Sequence, residues 1–241
     1  VTRPSRRAVV LAGALAGATA WAAPAGARHS NLRHERPLTE LERTDAERLL
    51  VVVTKEVPLD PVDYAPSDLV PWRDTAYELR AEVNDQLEEL FSAAEAEGLG
   101  LRVISGYRSY ETQAGTYDYW VRNYGQASAD ATSARPGHSE HQTGLAVDLD
   151  DLTGGCYLDA CFGELPEGRW VARHAHRFGF VLSYPQGLRD RTGYTYEPWH
   201  LRYVGPHAAR AMRELGVPLL QDYRSPRVAA AGLGSLLGRR D

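Results

Sequence analysis

Residues 134–150, ARPGHSEHQTGLAVDLD, gather His138, Ser139, His141 and several acids around the proline and glycines of a tight loop. His141 and Asp148 stand seven residues apart with Gly144 between them. That gap is too wide for one helical turn. It suits a turn followed by a strand, with both side chains folded back to one point. A second cluster, EPWH at 197–200, sets Glu197 and His200 on either side of Pro198 and Trp199. Proline bars helix at the residue before it, so the chain bends there. Zinc accepts imidazole nitrogen and carboxylate oxygen, and a catalytic zinc takes three protein ligands and keeps a position for water. His141, Asp148 and His200 offer such a set, and Glu197 remains as a carboxylate able to take a proton. Taken singly, Asp148 also fits an acid at a strand end and His200 a hydrogen-bonded core histidine. Spacing alone leaves both readings open.

Elements must carry these groups to one place. LLVVV at 49–53 reads as a short buried strand. Residues 58–72 hold four prolines and read as an extended, irregular arm. Thr75-x-x-Glu78 fits a capping box, and Ala76, Leu79, Val83, Leu87, Leu90 and Ala94 recur at helical spacing up to Gly98. Residues 101–106 read as a strand. Ser109 starts a second helix marked by Tyr110, Gln113, Ala114, Tyr117, Trp120, Val121 and Tyr124 and ended by Gly125; most of its aromatics are expected in the core. A loop is expected at 126–140, strands at 144–149, 180–184 and 199–205, and helices at 167–179 and 206–216, the last with Pro206 in its first turn. Helices and strands in mixed order, without regular βαβ alternation, predict an α+β domain.

The chain has 241 residues, 43% hydrophobic and 24% charged, with a net charge of −5. Lys55 is its single lysine, and an acidic chain without a lysine-rich run is a poor partner for nucleic acid. Residues 1–27 read as a signal peptide. Arg3, Arg6 and Arg7 precede a weakly apolar stretch, and Ala25-Gly26-Ala27 fits a cleavage site. The Arg6-Arg7 pair suggests twin-arginine export, with ordinary secretion also open. The stretch falls short of the roughly 20 apolar residues of a membrane span. Removing three arginines and no acids takes the net charge from −5 to −8. Residues 28–45 read as a polar linker, 46–222 as the folded domain and 223–241 as a disordered tail. Cys156 and Cys161 are the only cysteines, and export makes a disulfide their expected state. Two thiols alone make an incomplete zinc set.

Three segments, SGYRSYETQ (105–113), PGHSEHQTGLAVDL (136–149) and EPWHLRYVG (197–205), closely resemble the VanY-type D-alanyl-D-alanine carboxypeptidases. That family belongs to a wider group of zinc peptidases, the LAS group, that includes D-Ala-D-Ala dipeptidases and is related in fold to the hedgehog domain. The group's patterns S-x-H-x(6)-D and E-x-W-H are matched at every fixed position by Ser139, His141 and Asp148 and by Glu197, Trp199 and His200. The resemblance runs from about Leu49 to about Gly216. It implies a small central antiparallel sheet flanked by helices. It implies Zn2+ on His141, Asp148 and His200, with Glu197 as general base. Arg108, in GYRSY, would stabilise a developing oxyanion, as suits a fixed guanidinium. Ser139 would hold a substrate carboxylate, Gln113 would face substrate or make a helix-face hydrogen bond, and Trp199 would wall the pocket. His138 is left a role behind the ligands or in the loop. The implied protein is a monomeric, secreted, cell-wall-associated D,D-carboxypeptidase acting on peptidoglycan stem peptides. Rival readings are an L,D-carboxypeptidase or endopeptidase on the same stems, and a zinc-fold binding module without hydrolysis.

Overall fold

The computed structural model describes residues 48–223, so the expected signal peptide and linker and nearly all of the expected tail lie outside the described residues. A two-stranded hairpin, β1 (Leu69–Pro71) and β2 (Glu78–Arg80), leads into helix α1 (Ala81–Ala96). Strand β3 (Leu101–Ser105), helices α2 (Tyr110–Tyr124) and α3 (Gln126–Thr132), and a 3-10 turn at Glu140–Thr143 follow. Next come β4 (Ala146–Asp151), α4 (Pro166–His174), β5 (Phe180–Leu182), α5 (Arg189–Thr192), β6 (His200–Tyr203), α6 (Pro206–Leu215) and α7 (Leu220–Tyr223). The main sheet is antiparallel throughout, in the order β3-β4-β6-β5. This is the expected α+β architecture.

Strand period two sorts its residues. Leu145, Val147 and Leu149 of the β4 segment, with Leu201 and Tyr203 of β6, join the core formed with the buried stripe of α1: Val83, Leu87, Leu90, Phe91 and Ala94. Asp148 and Asp150 of β4, and His200 and Arg202 of β6, alternate with those core residues and are buried as well. Pairing sets Asp148 directly opposite His200, so the sheet register itself joins the two halves of the sequence pattern.

Several sequence expectations need correction. Residues 49–53 form no strand. Val51 and Val53 are buried with Leu59 and Tyr64, but the carbonyls of Leu49 and Val51 accept from the Arg202 guanidinium instead of a neighbouring strand. The Thr75/Glu78 capping box does not form. Thr75 Oγ1 donates to Trp72 O at 2.6 Å inside the hairpin turn, Glu78 lies in β2, and the helix starts at Ala81 with Arg80 as its N-cap. The predicted loop at 126–140 contains α3, and a short helix, α5, stands between β5 and β6. The helix expected over 167–179 breaks at His174 into α4 and a 3-10 turn, Ala175–Phe178. On α2 only Gln113 and Tyr117 are buried; Tyr119 and Tyr124 are exposed and pack with Trp120 on the surface. Ser109 does cap α2, accepting from Thr112 N. Cys156 and Cys161 form a disulfide.

Candidate metal centre and active site

His141 sits in the 3-10 turn that runs into β4. Gly144 closes that turn in the left-handed region at φ 67°, and a Cβ there would come within 2.9 Å of Arg80 Cγ and 3.0 Å of Leu69 Cδ2, so the position requires glycine. The turn carries His141 back toward Asp148, whose Oδ2 lies 3.2 Å from His141 Nε2. His200 Nδ1 lies 2.9 Å from Asp148 Oδ1. One ligand atom from each of the three residues falls within 4.8 Å of the other two, and all three residues are buried. Nitrogen, nitrogen and carboxylate oxygen at these separations suit a tetrahedral zinc that keeps one position open.

The other ring nitrogens are also held. His141 Nδ1 pairs with Gly106 O at 2.7 Å. Gly106 lies so close to β2 that a Cβ would meet Glu78 O at 2.5 Å. His200 Nε2 pairs with Glu140 Oε2 at 2.9 Å. Burial, reinforced by the Arg108 and His200 cations, lowers the His141 pKa against the pull of Asp148. For His200 burial is outweighed by hydrogen bonds to Asp148 and Glu140, which raise its pKa to about 10. Burial would raise the Asp148 carboxyl too, but the two histidines hold it well below the usual range.

Glu197 is half-buried in the bend before β6. Its N–H donates to Tyr184 O at 3.1 Å, and its carbonyl accepts from His200 N at 3.2 Å. Burial raises its carboxyl to about 7; Asp148 and Glu140 add to the rise, while His200 and Lys55 oppose it. Arg108 lies in the loop between β3 and α2, where its N–H donates to His141 O at 3.2 Å and Nη1 donates to Gln113 Oε1 at 2.9 Å. Gln113 is fully buried, and its amide donates to Ser133 Oγ at 3.1 Å and Ala134 O at 2.7 Å. With both ends of that amide occupied, Gln113 joins Arg108 to the segment that follows α3. Ser139 is buried at the N-cap of the 3-10 turn, beside His141 in sequence. Trp199 is half-buried against the main core. His138 turns away from the donor set, its Nδ1 pairing with Thr54 O at 2.8 Å.

A scan of protein families matches residues 76–206 to VanY, D-alanyl-D-alanine carboxypeptidase, which is more than half of the chain. The chain belongs to the VanY family. It is 42% identical over 176 residues to YodJ of Bacillus subtilis (strain 168), covering 70% of this chain and 64% of that protein. The chain thus spans a little under two thirds of that relative's length. Among solved structures it is similar to the LD-carboxypeptidase LdcB, at 40% identity and a TM-score of 0.69 over 74% of this chain and 86% of that one. It is also similar to a vancomycin-resistance D,D-pentapeptidase VanY solved in complex with Zn(II), at 32% identity and a TM-score of 0.62 over 73% of this chain and 98% of that one. The hedgehog-like α+β arrangement is therefore shared with VanY-family structures of known form.

Six groups around this VanY-family site escaped the sequence reading. Glu140 and Arg202 form a buried ion pair at 3.1 Å, and Ser183 Oγ donates to Glu140 Oε2 at 2.5 Å. Arg202 follows His200 by two on β6, so strand period two was a usable signal for it. Lys55 places its Nζ 4.1 Å from the Tyr194 ring centroid and donates to Asp130 O. Burial lowers its pKa, against the opposing influence of Asp130 and Glu197. Tyr194, Tyr184 and His200 continue as a column of rings, with centroids 4.3 and 4.9 Å apart. Nothing in the local sequence around Lys55 points to that column.

Proposed function

We propose that this protein is a zinc-dependent carboxypeptidase that removes the C-terminal D-alanine of peptidoglycan stem peptides. The observation that carries this reading is the buried His141–Asp148–His200 donor set with the half-buried Glu197 carboxylate coupled to it. A zinc ion held by those three residues supplies Lewis acidity, polarising the peptide carbonyl and making water acidic enough to attack near neutral pH. Glu197 takes the proton from the attacking water and passes it to the departing amine. Arg108, fixed by Gln113, presents a guanidinium to the negative charge that develops on the carbonyl oxygen. Ser139 holds the terminal carboxylate, and Trp199 walls the pocket. Residues 1–27 export the chain, a compartment that suits the Cys156–Cys161 disulfide. The protein then acts at the cell wall as a monomer, without nucleic acid. No helix among the described residues is long and apolar enough to cross a membrane.

A second reading concerns the bond. The likeness to the LD-carboxypeptidase LdcB is at least as strong as that to the D,D-pentapeptidase VanY, and it favours an L,D activity on tetrapeptide stems. Mass spectrometry of digests separates the two. Zinc-loaded protein that trims one alanine from a pentapeptide ending in D-Ala-D-Ala is a D,D-carboxypeptidase. Trimming of the tetrapeptide alone makes it an L,D-carboxypeptidase. Cleavage of cross-linked stems alone makes it an endopeptidase, and zinc and stem-peptide binding with no cleavage would leave a non-hydrolytic binding module.

A further inference from the structure

His200 meets a carboxylate at each ring nitrogen. Nδ1 faces Asp148 Oδ1 within the donor set, and Nε2 faces Glu140 Oε2, both at 2.9 Å. Glu140 is only 6% exposed. Its Oε2 also accepts from Ser183 Oγ at 2.5 Å, and its Oε1 accepts from Arg202 Nη1 at 3.1 Å. Arg202 is 0% exposed and spends its remaining donors on the carbonyls of Leu49, Val51 and Tyr203. A buried carboxylate and guanidinium carry a heavy desolvation cost, and a hydrophobic pair of like volume would stabilise the fold as well or better. Glu140 neutralises the buried Arg202 guanidinium, whose Nη2 donates to the carbonyls of Leu49 and Val51. The other partner of the carboxylate is a histidine of the donor set. The second histidine, His141, is anchored differently, by the neutral Gly106 carbonyl.

We propose that Glu140 is a positioning residue for the metal centre: it keeps the His200 ring proton on Nε2, turns Nδ1 toward the metal, and strengthens that nitrogen as a donor. Ser183 and Arg202 hold the carboxylate for this task. A ligand histidine's outer hydrogen bond selects which nitrogen faces the metal, and an anionic acceptor makes the imidazole a stronger base. The inference rests on the reading of His141, Asp148 and His200 as zinc ligands.

The test uses the full chain and Zn2+ alone. Zinc affinity is measured by competition with a chromogenic chelator for the unaltered protein, Glu140→Gln and Ser183→Ala. Long-range proton–nitrogen NMR reads the His200 ring in the zinc-loaded, unaltered protein. Glu140→Gln is expected to bind zinc about 10–100-fold more weakly. Ser183→Ala, which keeps the carboxylate, is expected to lose less. The His200 proton is expected on Nε2 with none on Nδ1. A folded Glu140→Gln protein with unchanged zinc affinity, or a zinc-loaded His200 protonated on Nδ1, overturns the proposal. The ring assignment needs no variant, so it decides the matter even where Glu140→Gln fails to fold. Unaltered protein that binds no zinc fails the metal reading itself, a distinct result.

Discussion

Replacing Glu197 by glutamine separates metal binding from proton transfer. The change keeps side-chain volume, and the backbone at 197 is pinned on both sides, to Tyr184 O at 3.1 Å and from His200 N at 3.2 Å, so the bend before β6 should persist. The amide cannot take a proton. A positioned base contributes about 10²–10⁴-fold, equivalent to about 2.7–5.4 kcal/mol of barrier. In the metal-free protein burial lifts the Glu197 pKa to about 7. The sign of the pH dependence follows. The base works only when ionised, so kcat/KM falls as pH drops through its pKa. The charge of a bound zinc favours the carboxylate and draws that pKa down from about 7 toward its ordinary 4.5, placing the acid limb between those values. In Glu197→Gln the limb should vanish along with most of the turnover. Alanine release from stem peptides across pH 4–9, with zinc content measured on the same samples, is the assay. Turnover within about fivefold of the unaltered enzyme would refute the base assignment. So would loss of zinc, because Glu197 stands outside the donor set.

Arg202→Met leaves Glu140 buried without its cation and strips the carbonyls of Leu49 and Val51 of their donor. Breaking such a pair costs about 3–5 kcal/mol, so Tm should fall by roughly 6–20 °C for a chain of this size; a drop of only a degree or two would show that the network contributes little. The Arg135–Asp130 pair has comparable geometry at 2.9 Å, but its side chains are 58% and 37% exposed, so Arg135→Ala should leave Tm nearly unchanged in the same melt. Gln113→Ala removes the acceptor that fixes Arg108, and should lower kcat/KM by up to about 10²-fold with zinc content unchanged. Equal rates would place the Arg108 guanidinium's orientation elsewhere.

Much of the site was legible because its parts are local. The S-x-H turn, the strand that follows and the E-x-W-H bend each lie within a short stretch whose residue types suit one chemistry. The α1 stripe and the Ser109 cap were legible for the same reason: both depend on neighbours three or four residues away. The misreadings share a cause. The 49–53 run is as apolar as a strand, but its backbone partners are side-chain donors on Arg202, 151 and 153 residues away in sequence. Thr75 and Glu78 have capping-box spacing, yet pairing of Glu78 with Pro71 drew that stretch into a hairpin. Trp120 and Tyr124 have core-like types, but α2 turns them to the surface.

Residue type and spacing offered the donor set and the carboxylate left over beside it, the resemblance of three motifs to the VanY-type carboxypeptidases chose that reading over its rivals, and periodicity indicated the α+β class. Only the tertiary structure decided which groups surround them. The β4–β6 register sets Asp148 opposite His200, the buried Glu140–Arg202 pair stands behind the ring, Gln113 lies under Arg108, and Lys55 covers Tyr194. Apart from Arg108 and Gln113, five residues apart, those contacts join segments far apart in the chain, and they depend on burial, which removes water as the competing partner. Neither distance nor burial is a property of a local stretch, so the ligands could be named from the sequence while the groups that hold them could not.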